Sequence, residues 1–253
     1  MYYFMIFIVG LLIGSFLNVC IYRIPREESI VYPSSHCPDC GSSLRPVDLI
    51  PVVSYMTSRG NCRYCNAHIS LRYPLVELIN AGLYLILYLQ FGLSLQFFAH
   101  GVLVSILLAI TFIDYDHQII PDGMIILIIV AGLFYKIAYM VLYRGSFPLL
   151  SSIGGLLLGG VFFLVVAILS NGGMGGGDIK LMGALGLWLG WQSTLLMMLL
   201  SFFIGGVLSV MLLLLKRKGR KEAIPFGPFI AIATFITICW SQEIVTWYVE
   251  MFF

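Results

Sequence analysis

Apolar runs, each about the length that spans hydrocarbon, succeed one another at residues 2–22, 74–91, 95–113, 120–142, 149–170, 178–192, 194–215 and 225–247. Such runs predict membrane helices, because lipid offers no partner to a backbone amide and a helix satisfies its amides internally. The pattern therefore predicts about eight transmembrane helices, of which the sixth is the shortest. One sizeable polar region interrupts it, Arg23 to Tyr73, with six arginines, four acids and five prolines. It reads as a small extramembrane domain. The chain thus divides into a first helix (1–22), a polar domain (23–73) and a membrane-embedded remainder (74–253). The expected fold class is all-α, a polytopic membrane protein.

Composition agrees. Of 253 residues, 60% are hydrophobic and 10% charged, where soluble proteins carry roughly a quarter charged. The mean hydropathy is +0.99. The segment Met1 to Cys20 lacks the basic start and small-residue cleavage site of a signal peptide, so it is expected to remain as the first helix. A formal net charge of +2 is too small to argue for nucleic acid, and none is expected as a partner.

The distribution of charge says more than its sum. Arg23, Arg26, Arg45, Arg59, Arg63 and Arg72 lie in the polar domain, and Lys216, Arg217, Lys218, Arg220 and Lys221 lie between the seventh and eighth runs. Basic loops mark the cytoplasmic side, and an even number of crossings separates these two. The opposite face receives only Lys136 and Arg144 near one loop and the acids Glu243 and Glu250. The same alternation carries the helix ends at Asp114 and Asp178 to the cytoplasmic face.

Those two acids are the candidate chemistry. Asn171-Gly172-Gly173-Met174-Gly175-Gly176-Gly177-Asp178-Ile179-Lys180 sets five glycines and a carboxylate between apolar runs. Glycine at that density forms a hinge or lets another backbone approach, and an acid at the edge of hydrocarbon is a functional candidate. Asp114 follows directly on the third run and is expected in a poorly solvated place, whereas Asp116 and His117 belong to a wet turn. Asp122 follows Pro121 and is expected to cap the next helix. Lys180 is expected to pair with an acid or a lipid phosphate. Two neighbouring carboxylates cannot both ionise readily, so one keeps a proton while the other acts as base. Such a pair activates water against a peptide carbonyl. Gly175, Gly176 and Gly177 are then the loop along which an extended substrate approaches. A phosphate-loop reading is weak, because the Gly-Lys-Ser/Thr ending is missing.

In the polar domain, Cys37-Pro38-Asp39-Cys40 and Cys62-Arg63-Tyr64-Cys65 form two CxxC knuckles. Four thiolates at that spacing close the tetrahedral shell of a structural zinc; the alternative, a pair of disulfides, is disfavoured in a reducing cytoplasm. His36 and His68 flank the knuckles as exposed residues rather than ligands. Cys20 and Cys239 stand alone in apolar runs and read as inert core thiols. Ser15 and Asn18 read as hydrogen-bonding glue between helices. Glu77 either caps the second helix, pairs with Arg72, or serves a ligand.

Taken in order, Gly14-Ser15-Phe16-Leu17-Asn18-Val19 with Tyr22-Arg23-Ile24-Pro25, the two knuckles, Ile69-Ser70-Leu71-Arg72-Tyr73-Pro74-Leu75-Val76-Glu77, Asp114 with Ile120-Pro121-Asp122, Gly172 to Lys180 and Pro225 to Phe229 resemble the type IV prepilin peptidases, also called leader peptidase/N-methyltransferases. The resemblance covers nearly the whole chain. It implies an aspartic endopeptidase of the bacterial inner membrane, with Asp114 and Asp178 as its acids at the cytoplasmic face. It further implies prepilin or pseudopilin precursors as substrates and partners, alongside membrane lipid, and a second activity, N-methylation with S-adenosylmethionine. Nothing in the residues themselves marks a site for that cofactor. One departure is Ser42, where many members of the family carry histidine. Two other classes fit the acids and the loop: a proton-coupled carrier with a broken helix, and a non-enzymatic assembly scaffold.

Overall fold

Each apolar run becomes a helix because only a helix pairs every amide within the segment. The protein is represented by a computed structural model that describes residues 1–144, 148–170, 174–215 and 224–252. Asn171, Gly172 and Gly173 of the glycine stretch, and the basic cluster Lys216, Arg217, Lys218, Arg220 and Lys221, lie outside the described residues. Two compact units divide the chain, Met1–Ala109 and Ile110–Phe253.

The first unit holds α1 (Tyr2–Arg23), the cysteine loop with the short α2 (Val53–Thr57), α3 (Arg72–Phe91) and most of α4 (Leu95–His117). Helices α1 and α3 meet almost backbone to backbone. A β-carbon at Gly10 would lie 2.6 Å from the Ala81 Cα, and one at Gly14 would lie 2.6 Å from the Glu77 Cα. Small residues permit that approach, and polar side chains then bind the helices together. Asn80 Nδ2 donates to the Gly10 carbonyl at 2.7 Å, and Asn18 Nδ2 to the Tyr73 carbonyl at 3.0 Å. Asn18 is therefore the expected glue.

The second unit takes the end of α4, then α5 (Asp122–Tyr143), α6 (Leu149–Leu169), α7 (Gly176–Leu189), α8 (Trp191–Leu214) and α9 (Gly227–Phe252). Gly155 and Gly159 on α6 face the carbonyls of Gly186 and Met182 on α7, leaving no room for a β-carbon at either. Gly132 of α5 seats the Trp188 ring in the same way. Helix α7 stops at Gly190, which takes a left-handed φ of 82°, and α8 begins at the next residue. Phe163 stacks on Phe202, and Phe226 meets Phe163 at a tilt and Phe229 edge to face, joining α6, α8 and α9 in one aromatic cluster. Lys136, counted above as a loop-side charge, is instead buried in α5, where its Nζ donates to Ser152 Oγ at 2.7 Å.

Among the described residues, seven helices are long and apolar enough to cross a membrane. The eighth, α7, has 14 residues and at 1.5 Å per residue reaches about 21 Å. Its start touches the turn between α4 and α5, the start of α9 touches α4 near its end, and α8 runs a full span between them. The starts of α7 and α9 therefore both lie near the end of α4.

Candidate active site and metal centre

Helix α4 does not end where its apolar run ends. It continues to His117, and Gln118 closes it in a left-handed conformation, donating its N–H to the Asp114 carbonyl at 2.9 Å. Asp114 therefore lies inside the helix and in the poorly solvated place expected of it, and it is Asp116 and His117, expected in a turn, that the helix takes in. Tyr115, Asp116 and His117 are exposed, so a polar last turn reaches water while the helix persists. Two residues advance about 200° around a helix, which is why Asp114, 5% exposed, faces the interior and Asp116 does not.

Asp178 occupies the first turn of α7 and is 8% exposed. Its N–H donates to the Gly175 carbonyl at 3.1 Å. Asp114 stands near enough for its charge to act on Asp178. The structure thus brings together the two acids singled out in the sequence. Each also lies against a glycine. A β-carbon at Gly175 would meet Asp178 Oδ2 at 3.3 Å, and one at Gly227 would meet Asp114 Oδ2 at 2.6 Å. The Gly227 N–H donates to that same oxygen at 2.9 Å, so the first residue of α9 holds the Asp114 carboxylate. Nothing in the apolar pattern pointed to Gly227. Its signal was the Pro225 to Phe229 stretch, which entered above only among the segments that carry the family resemblance.

The glycines before Asp178 play separate parts. Gly175 is extended (φ −68°, ψ 143°), while Gly176 and Gly177 form the first turn of α7. Gly177 packs on Ile120, whose Cβ a β-carbon would approach to 2.9 Å, but a β-carbon at Gly176 would meet nothing within 4 Å. Asp122 opens α5 as its first residue, yet makes no capping hydrogen bond. Lys180 Nζ instead reaches its two carboxylate oxygens at 2.7 and 2.9 Å. The expected cap is thus one half of an ion pair with Lys180, which ties the starts of α5 and α7 together.

In the first unit, the knuckles are near copies. The Gly41 N–H donates to the Cys37 carbonyl and the Asn66 N–H to the Cys62 carbonyl, both at 2.9 Å. Residues Gly41 and Asn66 each take the left-handed φ that turns the chain back. Outside these turns, Cys37 N–H bonds Ser42 O at 3.0 Å and Cys62 N–H bonds Ala67 O at 2.8 Å, with His36 paired to Ser43 and Asn61 to His68. The four Sγ atoms of Cys37, Cys40, Cys62 and Cys65 lie within 4.8 Å of one another, and Cys37 to Cys65 measures 3.9 Å. A tetrahedral ion with bonds of about 2.3 Å needs sulfurs about 3.8 Å apart, so the four thiols fit a metal. His36 and His68 stand outside that group. Asp48 binds the second knuckle, taking bonds from Tyr64 OH at 2.8 Å and Arg63 at 3.2 Å. The Tyr64 hydroxyl, with Arg45 and Arg63 nearby, holds the Asp48 carboxyl below its usual range. Cys20 and Cys239 are buried and free.

Acids carried on helix ends and buried inside a bundle of membrane-length helices define an integral membrane protein with a built-in carboxylate pair. Known proteins narrow this class. A model described as the bacterial peptidase A24 N-terminal domain matches residues 8–91, and one described as the type IV leader peptidase family matches residues 101–210. The chain is 34% identical over 276 residues to a prepilin leader peptidase/N-methyltransferase of Aeromonas hydrophila, covering 100% of this chain and 95% of that one. The protein of the same name from Pseudomonas aeruginosa is 36% identical, with 96% and 92% covered, and that from Bacillus subtilis 33% identical, with 97% of each covered. The chain belongs to the type IV leader peptidase family. No solved structure matches it.

Proposed function

We propose that this protein is a membrane aspartic endopeptidase that removes the basic leader from prepilin-like precursors at the cytoplasmic face of the bacterial inner membrane, then N-methylates the new terminus. The observation that carries the peptidase reading is the burial of Asp114 and Asp178 close together at one end of the helices, each beside a glycine. One carboxylate takes a proton from water as it attacks the scissile carbonyl, while the other, protonated, donates to the carbonyl oxygen. The proton then passes to the leaving amine as the C–N bond breaks. Gly227 orients Asp114 through its N–H. Gly175 supplies extended backbone and Gly176 leaves open space, which suits a substrate strand lying alongside.

Cys37, Cys40, Cys62 and Cys65 are proposed to hold one zinc. A closed four-sulfur shell leaves no position for substrate, so its part is to fold the loop. The methyl donor is S-adenosylmethionine, and the relatives named N-methyltransferases support that second activity. Membership of a peptidase family favours this reading over a carrier or a scaffold.

The test is leader removal from a pilin-like precursor by purified protein in detergent. Asp114→Asn and Asp178→Asn are each expected to abolish cutting while leaving metal content unchanged. Cutting by either variant at near the unsubstituted rate would remove that acid from the mechanism.

A further inference from the structure

A cavity of about 410 Å³ opens in the first unit between the end of α1, the start of α3 and the cysteine loop. Its volume suits a small molecule. Tyr22, Tyr55 and Tyr73 give it aromatic walls, and Asn18 and Glu77 lie among its polar groups. Glu77 is 7% exposed, the one buried acid among the described residues of this unit. Its side chain is turned away from solvent. Its Oε2 accepts the Val52 N–H at 2.8 Å, and Ser15 also bonds it. Both partners are neutral.

Val52 adds a second sign. Its φ of 61° and ψ of −47° are a genuine outlier for a β-branched residue, and such strain persists where the surroundings impose it, often at ligand sites. Here the strained residue is the one that gives its N–H to Glu77.

A buried carboxylate bonded to neutral groups costs free energy to keep charged, and a cation brought beside it lowers that cost; Arg23 and Arg63 line other parts of the cavity wall. Aromatic faces beside the carboxylate attract a cation too and stack on flat heterocycles. We propose that this cavity binds S-adenosylmethionine, with the Glu77 carboxylate facing its cationic centre and the tyrosines against its adenine. This rests on the methyltransferase reading above and gives that activity a site in the first unit. When bound, the donor supplies an electrophilic methyl: the substrate's free amine forms the new C–N bond as the C–S bond breaks with its electron pair left on sulfur, and the nitrogen then loses one proton.

The experiment is equilibrium dialysis of labelled S-adenosylmethionine against the full-length, metal-loaded protein in detergent, without substrate. The unsubstituted protein is expected to bind about one equivalent saturably. Glu77→Gln, which keeps an acceptor for Val52, is expected to weaken binding at least tenfold at unchanged metal content and unfolding temperature. Ultraviolet cross-linking of the bound donor to the unsubstituted protein, followed by peptide mapping, does not depend on the variant folding. Label within residues 15–77 supports the site, and label confined to residues 110–253 overturns it. Unchanged affinity in Glu77→Gln also overturns it, even if methylation falls, because the acid would then serve the amine. An unsubstituted protein that methylates processed substrate but carries no label in residues 15–77 sinks the site and leaves the activity standing. Absence of both binding and methylation sinks the activity, and the site with it.

Discussion

Replacing Gly227 by alanine tests whether the backbone of α9 aims the Asp114 carboxylate. The added β-carbon would lie 2.6 Å from Oδ2, against an ordinary contact distance of 3.4 Å. Carboxylate or helix start must therefore yield by about 0.8 Å. The atom met is the far end of a side chain rather than backbone, so the carboxylate is the part that moves. Moving it lengthens the 2.9 Å bond from the Gly227 N–H beyond useful range. A misplacement near 1 Å of a reacting group costs on the order of 100-fold in rate, about 2.7 kcal/mol of transition-state stabilisation. Overpacking adds roughly 1–3 kcal/mol against folding, which a large helical bundle survives. Gly227→Ala should thus be expressed, keep its metal, and cut a precursor about 100-fold more slowly when timed by mass spectrometry at saturating substrate. Gly176→Ala is the control, because its β-carbon meets nothing within 4 Å. A Gly227→Ala enzyme within twofold of the unsubstituted rate would show that the contact has no part in orienting Asp114.

Asp116→Asn should cut at close to the normal rate, since its side chain is directed about 200° away from Asp114 around α4; a dead variant would put Asp116 in the pair instead. The Asp122–Lys180 bridge is exposed on both sides, so by the usual worth of such pairs Asp122→Asn should lose no more than about 1 kcal/mol, seen as a few-fold lower rate, and the exchanged pair Asp122→Lys with Lys180→Asp should recover part of it. Elemental analysis should find about one zinc per chain. Cys37→Ser with Cys62→Ser should lose it and expose the loop to protease, and a loop still protected without metal would contradict the structural role given to the thiols.

The succession of spans was legible because lipid leaves a membrane helix no alternative partner, and both acids and all four thiols stood out as polar groups in costly or regularly spaced positions. The end of α4 was not. An apolar run stops where water begins, but a helix does not, and Tyr115 to His117 extend it while exposed. Asp122 looked like a cap because Pro121 precedes it, and only the fold brings Lys180, far along the chain, to its carboxylate. Gly227 escaped for a related reason. A glycine shows its purpose through whatever occupies the space it leaves, and here that is a side chain more than a hundred residues earlier. Gly155 and Gly159 were likewise silent until α7 was laid against them.

The shortness of α7 has a consequence for the depth at which chemistry takes place. A bilayer's hydrocarbon is about 30 Å thick, whereas α7 covers about 21 Å, and its neighbour α8, with 24 residues, covers about 36 Å. The two helices share one end at the Gly190 turn, so the mismatch of about 15 Å collects at the other, where Asp178 begins α7. Asp178, at the start of the shorter helix, would then lie below the level reached by the far end of α8. On the proposed function, a leader whose charged part stays in water while its hydrophobic part enters lipid would present its junction at about that depth, where water for the cut is still at hand.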